Sequence, residues 1–89
     1  MIPRYAAKRD TTEPEIIMAL EQMGFHVERV SAPGFPDLAL SRGNRWYLAE
    51  CKTGKRRLTK AQTYFHAVAK AQIPILRTVE QAVEWARGL

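Results

Sequence analysis

Cysteine is nearly missing from this chain. Cys51 stands alone among 89 residues, which excludes an intrachain disulfide and leaves no Cys/His cluster of the kind that builds a structural zinc site. No apolar run approaches the roughly 20 residues that a membrane-spanning helix needs. The first ten residues, MIPRYAAKRD, carry basic side chains but not the apolar stretch of a secretion signal. Internal repeats and low-complexity segments are missing as well. The lone cysteine fits a reducing compartment, and the expected location is the cytoplasm. A chain of this length with a single domain is compatible with a bacterial, phage or mobile-element source.

What the chain has is positive charge. Lysine and arginine number 14 against 9 acidic residues, for a formal net charge of +5. A small basic domain favours polyanionic partners, above all nucleic acid, although a merely soluble basic protein shows the same balance. The hydrophobic fraction of 46% supports one compact core, and 89 residues suit one domain. A domain of this size buries less of its surface than a larger one, so a second copy would add stability.

Along the chain, residues 1–10 read as a basic arm (Arg4, Lys8 and Arg9), and residues 11–89 as a single domain. Thr11 or Thr12 is placed to cap a first helix with Pro14 in its first turn. Ile16, Ile17, Leu20 and Met23 follow at helical spacing, and Gly24 stops the helix. Phe25–Val30 alternates as a strand should, and Ser31–Pro36 is a loop. Asp37–Ser41 and Arg45–Lys52 read as two strands joined by a hairpin turn at Arg42–Asn44. Thr59 caps a helix that continues to about Ala71, with Phe65, Val68 and Ala69 inward. Pro74–Val79 reads as a strand, and a last helix starts at Glu80 or Gln81 and ends near Gly88. The order is α-β-β-β-α-β-α. A hairpin followed by a β-α-β crossover implies a mixed sheet with helices packed on it, an α/β domain.

Chemistry concentrates on the two hairpin strands. Asp37 opens the first, directly after Pro36. Glu50 and Lys52 lie near the end of the second, and strand alternation sends both to one face while Cys51 goes to the other. Trp46 and Leu48 share the Glu50 face. Two charged groups thus stand where an apolar strand should continue, and burying them without partners would be costly. A divalent cation answers that cost: Mg²⁺ prefers oxygen ligands and keeps several waters. Bound there, it could polarise a phosphate oxygen and acidify a water. Lys52 could deprotonate or orient that water, or stabilise charge in the transition state. Each residue alone has a plainer explanation, since aspartate is a common turn former and charges protect sheet edges. The weight rests on the set.

The set resembles the PD-(D/E)XK nuclease superfamily in Pro36-Asp37 and Glu50-Cys51-Lys52, with twelve residues between the aspartate and the glutamate. It is more closely similar to the VRR-type nuclease branch (VRR-NUC). That likeness lies in Glu15, Gly34-Phe35-Pro36-Asp37, Glu50-Cys51-Lys52, Gly54-Lys55-Arg56-Arg57-Leu58 and Gln62, and it covers roughly Thr12 to Val79. The valine of the branch's Val-Arg-Arg run is absent, since Lys55 precedes Arg56-Arg57. The resemblance implies a restriction-endonuclease-like core and a Mg²⁺- or Mn²⁺-dependent phosphodiesterase acting on DNA. It implies Asp37, Glu50 and the backbone carbonyl of Cys51 as metal ligands, with Lys52, Glu15 and Gln62 as further catalytic residues. Glu13 competes with Glu15; the two lie about 200° apart on a helix, so only one can face the site. Gln62 would hold Lys52 or a phosphate, or else be ordinary helix surface. Branched or Holliday-junction-like DNA cut by a homodimer is the expected substrate and assembly.

Lys55, Arg56, Arg57 and Lys60 form a basic patch beside that strand, suited to phosphate contact with help from the helix N-terminus. Arg42 and Arg45 are weaker candidates. Trp46, Tyr47 and Trp85 fit a core or interface better than base stacking, and His66 reads as a packing or surface residue. Three rivals stand beside the nuclease: a non-catalytic DNA-binding module of the same fold, an RNA-directed nuclease, and an assembly or regulatory protein.

Overall fold

The computed structural model describes residues 10–89, so Arg4, Lys8 and Arg9 of the expected arm lie outside the described residues. Helix α1 spans Glu13–Gln22. Strands β1 (His26–Arg29), β2 (Leu38–Arg42) and β3 (Arg45–Cys51) follow, then helix α2 (Lys60–Val68), strand β4 (Ile75–Leu76) and helix α3 (Val79–Arg87). This is the α-β-β-β-α-β-α order that the periodicities predict.

The strands form one mixed sheet in the order β1-β2-β3-β4. β1 and β3 both run antiparallel to β2, and β4 runs parallel to β3. The hairpin register is set by a two-residue turn in which Gly43 and Asn44 take φ values of 61° and 64°. Positive φ at both central positions gives the turn the twist that antiparallel strands need. Arg42 then pairs with Arg45 and Leu38 with Ala49, which brings Asp37 to the level of Glu50.

The apolar core lies on one face of the sheet. Ile16 and Leu20 from α1 and Ala82 and Ala86 from α3 close over Leu38, Leu40, Ala49, Cys51 and Leu76. Phe25, Tyr47 and Trp85 form an aromatic cluster beside it, with ring centroids 5.6–6.2 Å apart. Arg42 is structural. Its guanidinium sits 4.4 Å from the Phe25 ring centroid and donates to the carbonyls of Met23 and Ala86. It thereby satisfies the open C-terminal ends of two helices at once. Helix α2 lies on the opposite face, where Phe65 meets Phe35 edge-on at 5.0 Å.

Several local expectations are corrected. Thr12 makes no side-chain cap on α1, and Thr11 bonds Thr53 through its amide and hydroxyl. α2 stops at Val68 because Ala69 turns to extended backbone, and Val68 is exposed instead of inward. β4 is two residues long, because the Thr78 hydroxyl accepts from the Gln81 amide and starts α3 at Val79. Trp46 is 68% exposed, which removes the core half of the core-or-interface expectation for it. Among the described residues no helix is long and apolar enough to cross a membrane.

Candidate active site

The ends of β2 and β3 bring the predicted acids together. Pro36 is buried, and Asp37 follows it into the sheet, with its carbonyl accepting from the Val30 amide at 2.8 Å. Asp37 Oδ2 accepts from the backbone amide of Cys51 at 2.9 Å, tying the first acid to the strand that carries the second. Glu50 is fully buried, and Lys52 is 3% exposed. The strand around them is locked to β4, since the amides of Glu50 and Lys52 donate to the carbonyls of Pro74 and Leu76. As alternation requires, the Cys51 side chain points into the core, where burial pushes its thiol up and keeps it protonated.

The Glu50 carboxyl is raised from 4.5 to about 8, first by burial and then by hydrogen bonding to and repulsion from Asp37, with Lys52 opposing the rise. Two carboxylates at one buried point cannot both ionise cheaply without added positive charge. Lys52 supplies one such charge, and a divalent cation would supply more. The donors suit a hard ion: the carboxylates of Asp37 and Glu50 and the carbonyl of Cys51 are all oxygens. Among the described residues no cluster of three or more His, Cys, Asp or Glu side chains is arranged to hold a metal. A pair of carboxylates fits an ion that keeps several waters in its shell, as Mg²⁺ does.

Gln62 is neither ordinary surface nor a partner of Lys52. It is 9% exposed and does two jobs. Its Oε1 accepts from the Thr59 amide at 2.9 Å while its own amide donates to the Thr59 hydroxyl at 3.1 Å, a reciprocal cap on α2. Its Nε2 donates to Glu50 Oε1 at 3.4 Å. One turn further on, His66 Nε2 lies 3.2 Å from Glu50 Oε2. Burial holds the His66 imidazole below its usual value, so this contact is a neutral hydrogen bond near pH 7.

On α1 the residue facing inward is Glu13, not Glu15. Glu15 is exposed, whereas Glu13 is 2% exposed and pairs with Arg29 at 3.2 Å. Glu13, Ile16 and Leu20 are the buried residues of α1. The phase of the apolar stripe, which passes through position 13, is the signal in the sequence that points to Glu13 over Glu15.

Beyond β3 the basic loop is braced. Asp10, nearly buried, accepts from the Thr53 amide at 2.6 Å and pairs with Arg56 at 3.2 Å. Arg77 donates to the carbonyls of Gly54 and Arg56. Lys55, Arg57 and Lys60 are exposed around this frame. A cavity of about 350 Å³ runs between the loop and Asp37, lined by Gly34, Phe35, Asp37, Lys52, Arg56 and Gln62 among others. Gly34, at φ +78°, packs so closely on α2 that a Cβ would sit 2.9 Å from that of Ala61. A side chain there would push the loop off the helix and open the cavity wall. A larger cavity of about 670 Å³ lies between Trp46, Leu48, Phe65 and Ile73, and none of its lining side chains is acidic.

Compared with protein-family models, curated proteins and solved structures, the chain matches none. Its functional reading therefore rests on the residues and their geometry. Asp10, Glu13, His66 and Arg77 are the contributors that sequence reasoning missed. Asp10 and Arg77 left no periodic trace, because each acts on loop backbone more than 20 positions away.

Proposed function

We propose that this chain is a Mg²⁺- or Mn²⁺-dependent nuclease of the PD-(D/E)XK type, similar to the VRR-NUC branch, that hydrolyses DNA phosphodiester bonds. The observation that carries this reading is the meeting of Asp37 with buried Glu50 and Lys52, beside a groove that Asp37 and Lys52 line together with Arg56. A domain that only bound DNA would gain nothing from carboxylates beside a phosphate.

Asp37, Glu50 and the Cys51 carbonyl would hold the metal. The bound ion supplies Lewis acidity toward a phosphate oxygen and an acidified water. Lys52 lies where its ammonium can stabilise negative charge on the phosphate or, as the free amine, accept a proton from the attacking water. Gln62 orients Glu50. Lys55, Arg57 and Lys60, with the N-terminus of α2, bind flanking phosphates. Glu13 takes the accessory place on α1 first assigned to Glu15.

Branched or Holliday-junction-like DNA is the proposed substrate, and a homodimer the proposed assembly. One protomer offers little surface beyond the site with which to grip a duplex, while two bring twice the +5 charge and two sites to two strands. A chain that stays monomeric at micromolar concentration would remove the dimer.

The test is cleavage of labelled four-way-junction DNA, linear DNA and matched RNA with Mg²⁺, Mn²⁺ or EDTA. Metal-dependent cutting should fall about 10²–10⁴-fold in Lys52→Ala and favour the junction. Preferential RNA cutting would reassign the substrate. Metal-independent binding without any cutting would replace the enzyme by a binding module.

A further inference from the structure

Glu50 is held from behind by a residue that takes no part in lining the groove. Positions 62 and 66 are one turn apart on α2 and share a face, and that face lies on the Glu50 carboxyl. Gln62 reaches Oε1 and His66 reaches Oε2, at 3.4 and 3.2 Å. The Gln62 amide cannot flip freely, because its Oε1 is engaged by the Thr59 amide, which leaves Nε2 to face Glu50. The two α2 side chains therefore address different oxygens of one fully buried carboxyl.

The two differ in where they stand. Gln62 lines the groove with Asp37 and Lys52. His66 does not; its side chain is 17% exposed and opens onto a separate cavity, with Ala69, Lys70, Ile73, Pro74 and Trp85. A DNA strand in the groove would not touch His66. Its only route to the chemistry is through Glu50.

Resting on the nuclease reading, we propose that His66 is a positioning residue: the hydrogen bond at its Nε2, together with Gln62, fixes the rotamer of Glu50 so that the carboxylate meets a divalent ion in one orientation. A buried carboxylate with both oxygens engaged has lost its torsional freedom before the ion arrives, and that entropy no longer opposes binding. Partners of this kind behind a metal ligand typically change metal affinity or activity by 10–100-fold. A histidine in the last turn of α2 could instead serve the helix dipole alone. In that case its loss would lower stability and leave metal binding unchanged.

Two variants separate the donor from its packing. His66→Phe keeps a ring and removes the hydrogen bond; His66→Gln keeps an N–H donor at similar reach. Binding is read with Mn²⁺ alone, by calorimetry and by the rise in melting temperature, and cleavage is read as a function of Mn²⁺ concentration. The Mn²⁺ concentration at half-saturation should rise about 10–100-fold in His66→Phe and return close to wild type in His66→Gln. Unchanged half-saturation in His66→Phe overturns the proposal, and so does an equal loss in both variants, which would assign the effect to packing. Failure of wild type itself to bind Mn²⁺ would overturn the nuclease reading and this role with it. That outcome is distinct because it appears before any substitution.

Discussion

The two faces of β3 solve opposite problems. On one, Tyr47, Ala49 and Cys51 meet α1 and α3, and apolar area removed from water holds the contact together. On the other, Trp46 is exposed, and the strand then descends through Leu48 to Glu50 and Lys52, both buried. The first face stabilises the fold and asks nothing of sequence beyond apolar residues of suitable volume. The second costs stability and returns it only in part, through Gln62, His66, Lys52 and Asp37 around one carboxyl. A strand seven residues long, with Lys52 directly after it, thus carries the core and the candidate site without either intruding on the other. Polar groups buried at such expense mark function more reliably than exposed ones do.

The apolar face should break hardest. Leu40, fully buried on β2, is predicted to cost about 2–5 kcal/mol on truncation to alanine, a large share of the stability of a small domain. Denaturant melts measure this, and a loss under 1 kcal/mol would mean that the core repacks easily and the contrast between faces is weaker than drawn.

The polar face should respond to pH. In metal-free protein Glu50 has a folded-state value of about 8 against 4.5 ordinarily. The folded chain therefore holds the proton more tightly than the unfolded one, and ionisation works against folding. Its contribution is most favourable below pH 4.5 and declines as pH rises from 4.5 through 8. Glu50→Gln removes this dependence. Melts of both proteins in EDTA should show wild type losing ground to the variant between pH 5 and pH 8, and added Mg²⁺ should restore wild type alone. Parallel curves would show that Glu50 is not the group that the burial implies.

The smallest expected effect lies at the join between helix and site. Thr59→Ala removes the hydroxyl that caps α2, at a cost of about 0.5–2 kcal/mol. It should also lower cleavage, because Gln62 loses half of its reciprocal cap. An activity unchanged at full folding would uncouple the cap from the site.

The sequence already carried the order of elements and the meeting of Asp37 with Glu50 and Lys52. Those depend on local periodicity, on strand parity and on a hairpin with turn residues at the right place. Likeness to a motif points to Glu15, but the buried stripe of α1 runs through Glu13. β4 is shorter than its sequence suggests because Thr78 suits a strand, yet its hydroxyl is used to start a helix. Lone histidines usually do nothing, and only three-dimensional placement puts His66 against Glu50. Contacts such as Asp10 with Thr53 join positions 43 apart, and no local pattern encodes them.

Because a single amide side chain, Gln62, both closes the first turn of α2 and donates to Glu50, opening of that turn takes away one of the two α2 contacts on the carboxyl. Helix ends fray far more often than whole domains unfold. The hold of Gln62 on Glu50 then lasts only as long as the reciprocal cap stays closed, and hydrogen exchange at the Thr59 and Gln62 amides would clock its opening.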